Sequence, residues 1–260
     1  MELRDRHVVV TGGGGGIGSA LVRRFAAEGA RAVVVADLDA EAARSVAGEF
    51  GGHAVGVDVR REDSLRALIA EATDAHGPID LFFSNAGVAG PPGGPEADPQ
   101  STWEINVLAH WWAARALLPE MVARGEGYLA STASAAGLLT QVDALAYSVT
   151  KHAAVALAEW LAINYADRGI RVSCLCPQAV RTPMLDVAKV GSAGMESMRA
   201  SGAILEPDDV AEAVVEGLRA ERFLILPHPE VGRYMAHKAA DPDRWLERMR
   251  GFVRAARGDE

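Results

Sequence analysis

The stretch "VVVTGGGGGIGSAL" (residues 8–21) sets five consecutive glycines between an apolar run and a segment where Ile17, Ala20, Leu21 and Phe25 recur at helical spacing. A glycine run is either a flexible spacer or a place where backbone must come close to a ligand. Spacers join folded units and are seldom pinned between a buried strand and an amphipathic helix. The flanks therefore favour a strand, a tight glycine turn and a helix N-terminus whose unsatisfied N–H groups face an anion.

The gross numbers agree with such a start. A chain of 260 residues fits one large α/β domain, and 49% hydrophobic with 23% charged residues is ordinary globular composition. A formal net charge of -9 argues against a nucleic-acid surface, which selects for basic patches. No apolar run reaches the length of a membrane span, and the charged first six residues lead straight into a strand, so neither membrane insertion nor a secretion signal is expected. Cys174 and Cys176, two residues apart in "VSCLCP", share one strand face and read as reduced, buried thiols of a cytoplasmic protein. No Cys/His set has metal-ligand spacing, so no metal is expected.

Along the chain, apolar strands at 7–11, 31–37, 53–57, 80–84, 127–131, 170–175 and 223–226 alternate with helical stretches near 17–28, 40–49, 62–76, 101–124, 147–168 and 208–220. This alternation predicts a Rossmann-like, doubly wound α/β fold: a seven-stranded, mostly parallel sheet with helices on both faces and ligands at the carboxyl ends of the strands. One domain is expected over 1–260. Within it, 184–205 is long enough for a substrate lid, and 229–260 forms a helical tail. In that tail Trp245, Met249, Phe252, Val253 and Ala256 make an apolar stripe, with Asp241 as N-cap and Pro242 in the first turn. The stripe must be covered, by a neighbouring subunit or by the cleft.

The glycines satisfy two patterns at once: Gly13, Gly15 and Gly18 match G-x-G-x-x-G, while Gly12, Gly16 and Gly18 match T-G-x-x-x-G-x-G. Asp37, nineteen positions past Gly18, ends the next strand. A carboxylate there accepts both ribose hydroxyls of NAD and repels a 2'-phosphate, so NAD is favoured over NADP. The competing reading is a helix-capping acid.

"YSVTK" (147–151) stacks Tyr147 and Lys151 on one helix face, with Lys151 one of only three lysines in the chain. A tyrosine hydroxyl has a pKa of about 10 and exchanges protons near neutrality only if its anion is stabilised by about 4 kcal/mol. An adjacent ammonium acts in that direction.

Taken together, "TGGGGGIG" (11–18), "SNAG" (84–87), "EIN" (104–106), Ser134, "YSVTK" and "CPQAVRTP" (176–183) resemble the short-chain dehydrogenase/reductase family in its single-domain branch, in the right order over about residues 8–226. The resemblance implies a catalytic tetrad of Asn106, Ser134, Tyr147 and Lys151. Tyr147 would be the general acid/base and Ser134 would hold the substrate oxygen. Lys151 would bind the nicotinamide ribose and lower the tyrosine pKa, while Asn106 would position a relay water. For the cofactor it implies Gly12, Gly16, Ile17, Gly18 and Asp37 at the phosphates and ribose, with Asp58 and Val59 at the adenine. Asn85, Ala86 and Gly87 would line the cleft, and Val180 and Thr182 would meet the carboxamide. A homotetramer is implied on the same ground.

Two departures stand out. The family's Pro-Gly is Pro177-Gln178 here, so the backbone at Gln178 either avoids positive φ or carries strain, and Ala133 replaces a usual hydroxyl. Gln178 joins Ser134, Gln141 and Met184 as a candidate substrate contact, with Val142 and Trp112 as weaker ones. His152, beside Lys151, points elsewhere on its helix.

The reading that follows is an oxidoreductase moving a hydride between NAD(H) and a small-molecule secondary alcohol or ketone. The lid residues Met184, Leu185, Val187, Met195, Met198, Ile204 and Leu205 favour an apolar substrate. The alternatives are an NADP-linked ketoacyl reductase, opposed by Asp37, and a non-catalytic NAD-binding regulator, opposed by the intact tetrad.

Overall fold

The computed structural model describes residues 1–92, 94–187 and 203–257. Seven parallel strands form one sheet in the order β3-β2-β1-β4-β5-β6-β7: β1 His7–Thr11, β2 Ala32–Asp37, β3 His53–Gly56, β4 Leu81–Ser84, β5 Gly127–Thr132, β6 Ile170–Leu175 and β7 Leu224–Ile225. The order reverses between β1 and β4, which opens a crevice at their carboxyl ends.

The strands read as unbroken apolar runs because both faces are covered. Val8 and Val10 pack with α1 (Gly16–Ala27) and α2 (Ala40–Gly48) on one side. Val9, one residue out of phase, joins the opposite core with α3 (Glu62–His76). Residues of the long helices between β4 and β6 complete that second layer.

The predicted strand and helix bounds hold to within about three residues, with one difference of kind. The expected single helix at 101–124 is α4 (Gln100–Trp103), a π-helical turn (Glu104–Leu108) and α5 (Ala109–Arg124). The wide turn is closed by Ala109 N–H donating to the Glu104 carbonyl. After β5 come α6 (Ala136–Leu139), α7 (Leu145–Tyr165) and, past β6, α8 (Pro183–Val187). Then follow α9 (Pro207–Arg219), α10 (Glu230–Ala240) and α11 (Pro242–Arg257). Asp241 caps α11 as expected, its carboxylate accepting from Arg244 N–H at 3.0 Å.

Cys174 and Cys176 are buried free thiols with sulfurs 3.8 Å apart. Among the described residues no helix is long and apolar enough to cross a membrane, and no group of three or more His, Cys, Asp or Glu is placed to hold a metal ion.

Candidate active site

A cleft of about 1770 Å³ opens at the carboxyl ends of the strands. At one end lies the glycine turn. Gly12 adopts φ +65°, and a side chain on Gly18 would put Cβ 1.9 Å from the Gly12 carbonyl oxygen. Only glycine permits that approach of helix to strand. Gly18 therefore packs the turn, whereas Gly12, Gly16 and Ile17 line the cleft. Nothing lies within 4 Å of where a Gly15 side chain would stand, at the N-terminus of α1, whose first-turn N–H groups have no partner within the helix. Such a cradle fits a pyrophosphate.

Asp37 also lines the cleft, and it does not cap α2; that is done by Asp39, whose carboxylate accepts from Glu41 and Ala42 N–H. Asp37 instead braces the turn, accepting from Gly14 N–H at 2.9 Å and Asp39 N–H at 3.0 Å. Asp58 and Val59 lie along the same wall. The Arg60 guanidinium grips the Asp58 carboxylate at 2.7 and 2.9 Å and holds its pKa below the usual range.

Asn85 ties three strand ends together. Its backbone N–H donates to Thr11 Oγ1, its amide donates to the Thr11 carbonyl at 3.1 Å, and its Oδ1 accepts from Thr132 at 2.9 Å. Ala86 and Gly87 continue this floor. A Cβ on Gly87 would lie 3.3 Å from both Asn106 Oδ1 and Lys151 Nζ, so this glycine lets two polar groups meet the wall.

Ser134, Tyr147 and Lys151 converge on the cleft from the β5–α6 connection and the first turns of α7. Lys151 is buried and donates to the Thr132 carbonyl at 2.9 Å, with Nζ 5.7 Å from the centre of the Tyr147 ring. Burial lowers its pKa to about 8. Burial also raises the Tyr147 phenol, with the Ser134 hydroxyl pulling the other way. Lys151 is thus a neighbour of the ring, while the local balance on the phenol is set by desolvation.

Asn106 is brought close but does not line the cleft. It is fully buried in the π turn, its Oδ1 accepting from Val88 N–H at 3.0 Å and its amide donating to the Val88 carbonyl and Thr150 Oγ1. Next to it His110 is buried with neither ring nitrogen partnered by a side chain, and burial drives its pKa down to about 3.

The remaining predicted contacts divide. Val180, Thr182, Gln141, Val142, Gln178 and Met184 line the cleft, whereas Trp112 packs against the core. His152 only returns to the Ser148 carbonyl of its own helix. Gln178 avoids positive φ, so the lost glycine leaves no backbone strain there. Its N–H instead donates to His228 Nδ1 at 3.2 Å, while His228 Nε2 meets the Ala203 carbonyl at 3.2 Å. Val180 pairs with Leu205 as a parallel bridge, so the chain four residues before the expected lid meets the lid's last residue. Leu185, Ile204 and Leu205 are described; Met195, Met198 and the side chain of Val187 lie outside the described residues.

Reading the sequence missed Tyr234 and Arg248, which line the cleft with Trp245, Met249 and Phe252 of the tail. The stripe at 245, 249 and 252 signalled a buried face, and Arg248 lies on it at helical spacing.

The chain resembles known proteins along almost its whole length. A 1-deoxy-11-beta-hydroxypentalenate dehydrogenase of Streptomyces exfoliatus is 36% identical, over 88% of this chain and 86% of its own. A 2,5-dichloro-2,5-cyclohexadiene-1,4-diol dehydrogenase of Sphingobium indicum is 37% identical, over 82% and 90%. A solved short chain dehydrogenase/reductase from Burkholderia phymatum, in complex with NAD, superposes with a TM-score of 0.82 at 28% identity, over 94% of this chain and 96% of its own. The family model described as short chain dehydrogenase matches residues 6–191. A glycine turn, a Ser-Tyr-Lys group on one cleft and this match together mean that the chain belongs to the short chain dehydrogenase family, an oxidoreductase acting at an alcohol carbon.

Proposed function

We propose that the protein is an NAD-dependent dehydrogenase that interconverts an apolar secondary alcohol and its ketone. The observation that carries this reading is the convergence of Ser134, Tyr147 and Lys151 on the cleft that also holds the glycine turn and Asp37. NAD, when bound, supplies the hydride acceptor. The first-turn N–H groups of α1 would receive its pyrophosphate, and Asp37 the adenosine ribose, where a 2'-phosphate would meet a carboxylate.

In the oxidation direction Ser134 holds the alcohol oxygen, and the Tyr147 phenolate takes the hydroxyl proton as the hydride departs from carbon. Burial alone disfavours that phenolate. A positive charge near the ring is therefore needed, and Lys151 supplies one fixed by the Thr132 carbonyl. Asn106 acts through position: it pins the Val88 loop that walls the cleft. In the reverse direction Tyr147 returns the proton.

The preference for an apolar substrate is supported by Met184, Leu185, Trp245, Met249 and Phe252 in the lining. A homo-oligomer, a tetramer by family resemblance, is supported by exposed Trp103, Trp111, Val149, Trp160 and Ile163 along the helices from α4 to α7. The test is reduction of NAD, and separately of NADP, across a panel of secondary alcohols. Turnover with NAD supports the reading, and turnover with NADP alone overturns its cofactor half. Tight NAD binding without turnover of any alcohol would favour a non-catalytic regulator.

A further inference from the structure

The tail helix α11 carries charge on nearly every turn, including Arg244, Glu247, Arg250 and Arg254. Of its described charged side chains, Arg248 alone lines the cleft. Trp245, Arg248, Met249 and Phe252 stand at i, i+3, i+4 and i+7, so Arg248 lies on the apolar stripe rather than opposite it, with its side chain exposed at the cleft. An arginine there either lays its aliphatic stem over apolar neighbours with its head in water, or answers a charge that enters the cleft.

The other charges of the lining are already engaged. Arg60 is paired with Asp58 at 2.7 Å, and Lys151 donates to the Thr132 carbonyl at 2.9 Å. Asp37 accepts from Gly14 and Asp39 N–H, and Asp143 also has a partner. Arg248 makes no ion pair among the described residues, although this chain pairs most of its arginines elsewhere on the surface. The cleft thus presents an apolar wall with a cation, Arg248, that has neither an ion pair nor a hydrogen bond among the described residues, at the end built by the tail rather than by the glycine turn.

We infer that Arg248 anchors an acidic group on the substrate, so that the preferred alcohol or ketone is an apolar carboxylic acid. The planar fork of a guanidinium matches a carboxylate with two parallel hydrogen bonds, and the half-buried Trp245, Met249 and Phe252 offer apolar surface beside the exposed Arg248 for the rest of the molecule. The inference rests on the dehydrogenase reading above and narrows its substrate class.

The experiment is calorimetric titration of the full chain, saturated with NAD, with 4-cyclohexylbutanoate and with its methyl ester. The acid is expected to bind about tenfold or more tightly than the ester, a preference that weakens with salt. Arg248→Met is expected to bring the acid to the level of the ester, and Arg248→Lys to retain part of the preference. Equal binding of acid and ester by the wild type, or a preference that survives Arg248→Met, would overturn the inference. Oxidation of neutral secondary alcohols by the wild-type chain is scored separately. If that oxidation occurs while acid and ester bind alike, only the anchor is wrong; if no alcohol of either kind is oxidised, the dehydrogenase reading falls and takes the anchor with it.

Discussion

The Asp37 carboxylate accepts a hydrogen bond from Gly14 N–H at 2.9 Å, so the acid at the end of the second strand also fixes the glycine turn. On the proposed reading, one side chain would couple selection of the cofactor to the shape of the glycine turn. Replacing it by asparagine removes the charge but keeps an acceptor for Gly14. Asp37→Asn is expected to raise the ratio of NADP to NAD turnover by about tenfold or more, while Asp37→Ala also weakens NAD binding because a charge-assisted bond of about 1.5–3 kcal/mol is lost. Steady-state kinetics with both cofactors checks this.

The glycines of the turn differ in what they tolerate. A Cβ at Gly18 meets the Gly12 carbonyl at 1.9 Å, and one at Gly15 meets nothing within 4 Å. Gly18→Ala is expected to lower Tm by several degrees, since about 1 kcal/mol moves Tm by about 2–4 °C at this size. Gly15→Ala should leave Tm nearly unchanged yet weaken NAD binding, because the free space is the cradle. Thermal melts with and without NAD separate the two.

Acid sensitivity is expected to come in part from His110. Its pKa falls to about 3 on burial, against about 6.5 unfolded, so the unfolded chain binds the proton more readily between those values. The stability associated with the neutral ring is present above pH about 6.5 and is lost as pH falls toward about 3, by up to about 5 kcal/mol at about 1.4 per unit. His110→Phe should flatten the fall of Tm with acidity. His7 and His76, both lowered by burial, act in the same direction, so some slope will remain.

His228 joins the loop after β6 to the stretch just before α9 through Gln178 N–H and the Ala203 carbonyl. Accepting at Nδ1 leaves Nε2 to donate to the Ala203 carbonyl. His228→Phe strands both backbone groups, at a cost of about 1–3 kcal/mol. Substrate KM is expected to rise by about tenfold while the Kd for NAD changes less than threefold, and His228→Asn should recover part of the loss. Equal losses in both constants would mean general destabilisation instead.

The strands were legible because each is an apolar run buried on two faces, and Tyr147 and Lys151 because four residues make one helical turn. The π turn was not legible: Glu104–Leu108 carries no residue that separates it from α-helix, and the side-chain bonds of Asn106 to the Val88 loop link residues eighteen apart. Arg248, Tyr234 and His228 escaped for a related reason. Each reaches the cleft or its frame through contacts between segments distant in sequence, as where Lys238 of α10 donates to the Leu138 carbonyl of α6 at 2.7 Å. Local periodicity shows that the tail has an apolar face but does not say what that face meets.

The most direct test of the account is transfer of deuterium from a secondary alcohol labelled at its carbinol carbon, in wild type and in Tyr147→Phe. The account predicts that the label appears in reduced NAD with wild type, and that the phenylalanine variant binds NAD normally but transfers label at least about 100-fold more slowly. Label transfer by Tyr147→Phe within tenfold of wild type would contradict the role given to Tyr147.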